Sequence, residues 1–479
     1  MTTSNRKGSP WQAFGGAPRV PAAAESSLPY LRDRSSDPFA VDAAPAWSLW
    51  TILLCGVLFA AAAFNPIEFK TDPSFDRANS TVKWPTAVKL AIAAAVTSCG
   101  AIGLLFSAGP RRLLASIPGV GLVLLGLVFV ATSVFATPEA ATISRAASLI
   151  YCGYLAFLAT AVAHLGIRTT VRCVLAGTVV YLIGTWALYL ASPEMGRFYE
   201  PIAGGRTVAR MGGLGHPNHV ARSALSVGLV LFATLVSTTF QTASRGTVDD
   251  TPSRSHRVGP LLLSLLFILV TVFMTLSRTA ALAGTAAAIW MVLDRLWGRG
   301  GLFLSAGAIA IAMAAVLGLT LLTGTGPLSE EGLRAMTKSG DISEITSITG
   351  RTEIWQEVLQ RFWQRPFVGW GFDSAPSVLS RNATACHNIL LNMAFSSGIA
   401  AAVLMVVLLA WSFLLALTAR QRWIRGLMAY VLICGLVEDT LFDAFPPALT
   451  LLWIAAMLLP PLGEPPTTAF PADPAESIA

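Results

Sequence analysis

Long apolar runs separated by short polar segments fill the chain from about residue 46 to residue 460. Each run has about 17 to 23 residues, the length that an α-helix needs to cross the hydrocarbon core of a bilayer. Backbone groups left unpaired in lipid are costly, so such runs form helices. The pattern predicts about twelve spans, at residues 46–64, 87–108, 117–136, 143–166, 174–192, 219–240, 260–276, 279–297, 302–323, 388–417, 425–440 and 445–460.

One apolar stretch is too long for a single span. Residues 260–293 contain one charged residue, Arg278. At about 1.5 Å per residue a continuous helix would extend roughly 50 Å, whereas the hydrocarbon core is about 30 Å thick. The helix is therefore expected to break within the sequence LSRTA, residues 276–280, which places Arg278 at a membrane surface.

The segments around the spans define the expected domains. Residues 1–45, rich in Ser, Pro, Ala and Arg, predict a disordered cytoplasmic tail, and residues 461–479 predict a second one. Residues 46–460 form the polytopic membrane domain. Within it, residues 324–386 form one large extracytoplasmic loop between predicted helices 9 and 10. The expected fold class is therefore an all-α membrane protein.

The large loop contains a predicted amphipathic helix that ends before Pro366. Its apolar positions recur at helical spacing: Ile354, Trp355, Val358, Leu359, Phe362 and Trp363. Two interpretations are compatible with this stripe. The helix lies flat on the outer membrane surface, where tryptophan is favoured, or it packs on its own subdomain.

Composition and charge agree with a membrane protein. Only 12% of the residues are charged, 54% are hydrophobic and the mean hydropathy is +0.64. The formal net charge of +7 reflects arginines in alternate loops, so no nucleic-acid partner is expected. If these loops face the cytoplasm, both termini are cytoplasmic as well. The chain lacks a GxxxxGK[ST] phosphate loop, and no cofactor or metal is expected.

Two groups of residues outside the cytoplasmic loops suggest chemistry. The first is a set of arginines next to helix ends on the predicted outer face: Arg145, Arg206, Arg210, Arg278 and Arg351. A guanidinium group is suited to binding a diphosphate through paired, charge-assisted hydrogen bonds. The alternative for each arginine is a snorkelling side chain, or an ion pair with a loop carboxylate such as Glu330, Glu331 or Asp341.

The second group is His387-Asn388, at the start of a predicted span. An imidazole accepts protons near neutral pH, and Asn388 or a loop carboxylate is available to orient the ring. The alternative is a polar pair that caps the helix. Glu438, Asp439 and Asp443, near the outer end of the eleventh span, are candidates to orient His387 or an arginine. His216 and His219 lack an evident third ligand for a metal.

Three stretches resemble the O-antigen ligase family of bacterial membrane glycosyltransferases, which also includes exopolysaccharide polymerases and protein O-oligosaccharyltransferases. They are RMGGLGHPNHVAR (residues 210–222), LSRTAALAG (276–284) and TGRTEIWQEVLQRFWQRPFVGWGFDSA…CHNILLNMAFSSGIAA (349–401). The stretches occur in the family's order, and the layout covers roughly residues 46–460. One position departs from the ligase-type pattern: Ala401 stands where the family has Gly, Thr or Tyr.

The resemblance implies a GT-C-like helical fold in the bacterial inner membrane. It implies metal-independent, inverting transfer of an undecaprenyl-diphosphate-linked glycan to an acceptor glycan or lipid core. Arg210 and Arg278 match the arginines credited with binding the donor diphosphate, and His387 matches the histidine credited with activating the acceptor. Arg351, Asn388 and Arg145 are supporting candidates. Membrane lipids and other polysaccharide-assembly proteins are expected partners.

Several functional alternatives remain open at this point. Within the family, an exopolysaccharide polymerase and a lipopolysaccharide ligase fit equally well, and a protein O-oligosaccharyltransferase is a further possibility. A twelve-helix secondary transporter is the alternative from a different class. It predicts ionisable residues at mid-membrane, whereas Arg210, Arg278 and His387 are predicted at the outer surface.

Overall fold

The computed structural model describes residues 48–68, 84–201, 207–244, 255–298, 351–379, 385–439 and 441–459. Several expectations fall outside these residues. They are the whole of both predicted tails, the predicted span at 302–323, residues 324–350 and 380–384 of the large loop, and Arg206.

Helices make up most of the described chain. They are α1 (Leu49–Phe64), α2 (Trp84–Phe106), α3 (Ala108–Leu114), α4 (Ile117–Ser133), α5 (Pro138–Ala191), α6 (Pro193–Gly196), α7 (Pro217–Ser244), α8 (Ser255–Thr275), α9 (Arg278–Gly298), α10 (Arg351–Gln364), α11 (Ala375–Val378), α12 (Ile389–Thr418), α13 (Arg422–Gly435) and α14 (Ala448–Met457). Two short strands, β1 (Arg197–Pro201) and β2 (Thr207–Met211), lie between α6 and α7.

Six helices in the described residues are long and apolar enough to cross a membrane. A seventh is added if α3 and α4, which meet at 84°, count as one bent span. The helical membrane class is thus confirmed. The count of twelve spans and the GT-C-like topology stay predictions, since α1 and α14 are shorter apolar helices and α5 alone covers two of the predicted spans.

α5 changes direction at a single glycine. Gly166 has φ 73° and ψ 162°, so the helix stops and restarts at this residue. Glycine adopts positive φ without a Cβ clash. The predicted spans 143–166 and 174–192 left Arg168 and Arg172 in a loop between them, and this placement was wrong. Both belong to the helix that follows Gly166, because a one-residue break leaves no room for a loop.

The predicted break between the seventh and eighth spans is confirmed. α8 ends at Thr275 and α9 begins at Arg278. Leu276 between them has φ 50°, a left-handed conformation that non-glycine residues seldom adopt. The break places Arg278 at a helix start, as the length argument required.

α12 is interrupted where another loop packs against it. Ser397 and Gly398 have non-helical dihedral angles, with φ 76° at Gly398. The break leaves backbone groups of α12 without helical partners, and residues 366–371 form hydrogen bonds with them. Trp370 N donates to Phe395 O, and Ile399 N donates to Pro366 O. A Cβ on Gly398 would lie 2.4 Å from Phe367 O, so only glycine permits this close approach.

The segment between Ser192 and His219, expected only as a loop, contains a β-hairpin. β1 and β2 pair antiparallel, with Phe198 opposite Arg210 and Glu200 opposite Val208. The expectation was incomplete because the apolar-run analysis addressed spans alone. RFYEP and TVARM contain the strand-favouring residues Phe, Tyr, Thr and Val on either side of two consecutive glycines, but they show no regular alternation, so the strand signal is weak.

Candidate functional site

The hairpin fixes Arg210 in a buried position. Diagonal neighbours on paired strands share a face, so Glu200 on β1 and Arg210 on β2 meet. Arg210 Nη1 lies 2.7 Å from Glu200 Oε2, Nε donates to Thr275 O at 2.7 Å, and Nη2 donates to Asn218 Oδ1 at 2.8 Å. Arg210 is 5% exposed. The guanidinium therefore joins the hairpin to the ends of α7 and α8.

Arg278 lies three residues beyond the carbonyl that Arg210 binds. It is the first residue of α9 and its side chain is exposed. The kink at Leu276 separates it from Thr275. The structure thus brings the α8–α9 break, and with it Arg278, next to the buried Arg210. One guanidinium is held inside the protein and the other is presented at the surface.

Glu438 is the centre of the site. It lies in the connection between α13 and α14 and is 5% exposed. Its Oε1 accepts hydrogen bonds from Arg351 Nη2 at 2.5 Å and from Asn218 Nδ2 at 3.2 Å. Its Oε2 lies 3.4 Å from His387 Nδ1. Through Asn218, which also accepts from Arg210, a single carboxylate links three residues named from the sequence.

The pKa of Glu438 is lowered to about 2 despite its burial. Burial, the largest single influence, acts to raise it. The hydrogen bond with His387 and the positive charges of Arg351 and Arg222 together outweigh that effect. The carboxyl group is therefore ionised throughout the physiological pH range. A charged acceptor facing Nδ1 favours the His387 tautomer that carries its proton there.

His387 and Asn388 have different tasks. Asn388 is the N-cap of α12: its Oδ1 accepts from the backbone N–H groups of Leu390 and Leu391, and its Nδ2 donates to Leu436 O. The capping interpretation therefore holds for Asn388. His387 has φ 51°, is partly exposed and faces Glu438. Of the two orienting groups considered, the carboxylate is the one that contacts the ring.

α10 packs against the loop that carries His387. Trp355 Nε1 donates to Cys386 O at 3.0 Å, the carbonyl just before His387. Val358 is buried in a small cluster that also contains Cys386 and Phe395, and Phe362 is buried as well, whereas Leu359 and Trp363 are exposed. The predicted helix is confirmed. Its stripe is divided between a face packed on a subdomain and an exposed apolar edge.

A second polar layer lies behind Glu438. Arg222 Nη1 donates to the carbonyl of Asp439, and Asn392 Nδ2 donates to Asp439 Oδ2. Burial, followed by the charge of Asp443, raises the pKa of Asp439 well above its usual range. Asp439 Oδ1 is buried without a hydrogen-bond partner in the described residues. This layer ties α7 and α12 to the segment that carries Glu438.

Three other candidates form no hydrogen bond or ion pair with Glu438. Arg145 is exposed on α5, and no hydrogen bond or ion pair joins it to a described residue. Burial, together with His219 and Arg210, lowers the pKa of His216 to about 3, and His216 Nδ1 accepts from Asn218 N. His219 lies 3.9 Å from Glu68. The described residues contain no group of three or more His, Cys, Asp or Glu that could hold a metal.

An apolar groove of about 950 Å³ lies along α8, the helix that ends beside Arg210. It lies between the second half of α5, α7 and α8, and its lining includes Leu175, Ile183, Leu231, Phe267 and Val270. Trp186 Nε1 donates to Thr271 Oγ1 at the end nearer the site. From Val270 to Thr275, whose carbonyl binds Arg210, is about 7.5 Å along a helix axis.

Comparison with protein families identifies the region that contains most of this site. Residues 263–406 match the family model described as O-antigen ligase. The chain is similar to O-antigen ligases. The resemblance predicted from the sequence is thereby confirmed, and the match supports a glycosyltransferase of the ligase or polymerase type. A comparison with curated protein sequences gives no match.

The O-antigen ligase match includes Arg278, Arg351, His387 and Asn388, and it ends before Glu438. Arg210 precedes it. The residue that connects the set therefore lies outside the matched region, and only its contacts identify it as the centre. The sequence analysis named Glu438 as an orienting candidate, but it gave Asn218 and Trp355 no part in the site. The GHPNH stretch gave a signal for Asn218, a polar side chain in the first turn of α7.

Proposed function

We propose that the protein transfers a glycan from an undecaprenyl-diphosphate carrier to the hydroxyl group of an acceptor glycan or lipid core. The reaction takes place at the extracytoplasmic face of the bacterial inner membrane. The observation that carries the proposal is the Glu438 network. It holds a partly exposed histidine against a buried carboxylate that also binds Arg351 and, through Asn218, connects to Arg210.

The reaction follows from the arrangement of His387. With the proton on Nδ1 directed to Glu438, the Nε2 lone pair is free to accept the proton of the acceptor hydroxyl. The acceptor oxygen attacks the anomeric carbon and forms the new glycosidic bond. The bond between that carbon and the diphosphate oxygen breaks, and the diphosphate leaves with the electron pair. In-line attack inverts the anomeric carbon, and the step needs neither a nucleotide nor a metal.

The arginines stabilise the leaving group. Arg278, exposed at the start of α9, is the residue for direct contact with the diphosphate. Arg210 is buried and uses three of its N–H groups within the protein, so it orders the α8–α9 break and adds positive charge from behind. Preorganised charges at the position where charge develops often give the largest catalytic contribution.

The apolar groove is suited to the donor's isoprenoid chain. Its lining comes from helices that are apolar enough to cross a membrane, and α8 joins it to Thr275 beside Arg210. A lipid chain in this groove places its diphosphate near Arg278. Transfer between lipid-linked glycans, as in an exopolysaccharide polymerase, and transfer to a lipid core, as in a lipopolysaccharide ligase, both fit this geometry.

The experiment is a profile of surface glycan and lipid-linked intermediates in cells that carry His387→Asn. Asparagine adopts positive φ about as readily as histidine, so the loop is retained while the proton acceptor is lost. Arg278→Ala is analysed in parallel, Arg145→Ala serves as the matched control, and membrane levels of each variant are measured.

Each outcome has a distinct meaning. Single repeat units on the carrier with loss of long polymer identify a polymerase. Full-length polymer that accumulates on the carrier identifies a ligase. A glycan profile unchanged in both well-expressed variants contradicts the proposal, as does the loss of uptake of a free solute with glycan assembly intact.

A further inference from the structure

Lys89 is a buried cation whose charge the fold does not neutralise by contact. It lies in the second turn of α2 and is 8% exposed. Its Nζ lies 5.3 Å from the centre of the Phe445 ring. Among the described residues, no carboxylate lies within ion-pair distance of Lys89 and no hydrogen bond involves its ammonium group. A buried charge without such partners costs free energy, so its presence requires an explanation.

Carboxylates lie near Lys89 beyond ion-pair distance: Asp443 is two residues from Phe445, whose ring faces the Lys89 ammonium group, and Asp373 follows Phe372, which packs on Phe442. The charges of Glu68, Asp443 and Asp373 all act on its ammonium group. They come from three separate segments: Glu68 follows α1, Asp373 follows α10, and Asp443 lies between α13 and α14. Asp373 and Asp443 are half-buried, so water or a ligand reaches them. The charges of the four groups act on one another, but no ion pair forms between Lys89 and any of the three carboxylates.

This cluster adjoins the site described above. Asp443 and Phe445 lie in the connection that carries Glu438. Asn65, at the end of α1, donates to Pro446 O in that connection, and His219 joins Glu68 to the start of α7. The Lys89 cluster is therefore at the same end of the helices as His387, on another side of the Glu438 segment.

The backbone at Asp373 is a separate indication that this position is functional. In the described residues, three non-glycine residues have positive φ: Leu276, His387 and Asp373, the last with φ 59°. The first two adjoin or form the proposed catalytic set. Strained residues of this kind concentrate at functional sites. Burial, followed by the charges of Asp443 and Glu68, raises the pKa of Asp373 to about 7, against the opposing effect of Lys89.

We infer that Lys89, Asp373 and Asp443 form a subsite that binds the hydroxyl groups of a neutral sugar unit in the acceptor glycan. The inference rests on the proposed function and names the substrate group that approaches His387. Carboxylates accept hydrogen bonds from sugar hydroxyls, and the ammonium group donates to sugar oxygens. Three carboxylates around one ammonium group disfavour an acidic sugar, because a further negative charge would be repelled.

Two substitutions isolate the subsite from the catalytic residues. Lys89→Met keeps the length of the apolar stem and removes the charge. Asp373→Asn keeps a residue that tolerates positive φ and removes the carboxylate. Lys89→Arg, which keeps the positive charge, and Glu194→Gln, on the exposed face of α6, are the matched controls.

The measurement is glycan transfer by purified full-length protein in lipid nanodiscs. The substrates are the lipid-linked glycan and acceptor fractions extracted from the source cells, each titrated against a fixed excess of the other. For Lys89→Met and Asp373→Asn we expect the KM for the acceptor to rise roughly tenfold or more, the loss expected for a hydrogen bond to a charged group. The KM for the donor and kcat are expected to stay unchanged, because the lost contact binds the acceptor equally in the ground state and in the transition state.

A thermal unfolding scan of the same samples separates binding from a structural role. Removing an unneutralised buried charge is expected to leave the midpoint of Lys89→Met unchanged or higher. A lower midpoint with an unchanged acceptor KM would show that Lys89 is structural and would overturn the inference. An equal rise in both KM values would also overturn it. Absence of transfer by the wild-type protein would instead contradict the proposed function, and the inference with it.

Discussion

At the scale of single residues, Glu438 orients the imidazole ring of His387. The imidazole alone, at the start of a span, is compatible with both a proton acceptor and a capping residue. The contact of Nδ1 with an ionised, buried carboxylate distinguishes them, because a cap would be directed to backbone N–H groups. Asn388 makes those capping contacts instead. Asn388 thus makes the capping contacts, and His387 is left for the proton transfer that we propose.

Glu438→Gln tests this division. The amide keeps the size of the side chain but loses the charge that holds the Nδ1 proton, so we expect kcat to fall about 10²-fold or more. The donor KM is expected to change less, since Arg278 is unaltered. Transfer is measured with the extracted lipid-linked fraction, and Glu194→Gln is the control. A kcat within experimental error of the wild type would show that Glu438 does not orient the histidine.

The same carboxylate predicts how stability depends on pH. Its pKa is lowered from the usual 4.5 to about 2 in the folded protein. A lowered carboxyl pKa contributes stability that is complete above the unfolded-state value and is lost as the pH falls toward the folded-state value. The difference in thermal midpoint between the wild type and Glu438→Gln is therefore expected to be constant from about pH 6 to 8 and to shrink below about pH 4.5. A difference that grows on acidification would contradict the assignment.

The sequence predicted site residues that lie in local motifs, but it did not predict contacts between residues that are far apart in the chain. His387, Arg351 and Arg278 were found because they lie in stretches with a recognisable order of residue types. The contacts that organise them involve Glu438 and Asn218, which are 220 positions apart. No local pattern indicates such a pair. Helix capping by Asn388 is local, and it was among the expectations.

At the scale of elements, α10 positions the His387 loop through two side-chain contacts. Its first residue, Arg351, binds Glu438, and Trp355 one turn later binds the carbonyl of Cys386. Trp355→Phe removes only the second contact and keeps the ring packed. We expect kcat to fall several-fold, by about the worth of one net hydrogen bond, with little change in the thermal midpoint. Trp363→Phe, at an exposed position on the same helix, is expected to have no effect on transfer.

The break in α12 is a second element-scale feature with a direct test. At Gly398 an alanine would have positive φ, and its Cβ would clash with Phe367 O. We expect Gly398→Ala to lower the stability by about 2 kcal/mol or more. Gly56→Ala is the matched control, because a Cβ there meets nothing within 4 Å and alanine favours a helix. Equal midpoints for the two variants would show that the break is not held by this contact.

The elements differed in how well the sequence predicted them. Helix ends were predicted where a local breaker exists: α10 ends at Gln364, shortly before Pro366, and α8 ends before the arginine of LSRTA. The hairpin was missed because each strand has five residues, and a period-two pattern that short is weak. The break at Gly398 was not predicted either, since it depends on the 366–371 segment that packs against it.

At the scale of the whole molecule, polar contacts in the described residues lie at two opposite ends of α7 and α9. The candidate site occupies one end, where α7, α9, α10 and α12 begin. The ion pair of Arg425 with Asp294 and the hydrogen bond of Arg422 with Ser237 occupy the ends where α9 and α7 finish and α13 begins. The proposed reaction requires such a separation, because its reacting groups would need to meet the donor diphosphate at a single depth.

The orientation of these two ends is the last prediction. If arginine-rich segments face the cytoplasm, α3 is cytoplasmic and the hairpin with His387 is extracytoplasmic. In a cysteine-free background, a membrane-impermeant maleimide is expected to label Glu194→Cys in spheroplasts and to label Arg112→Cys only after the membrane is opened. Both positions are exposed. The opposite labelling would place His387 in the cytoplasm, where activated sugars are nucleotide-linked, and transfer from a lipid carrier at the outer surface would then be impossible.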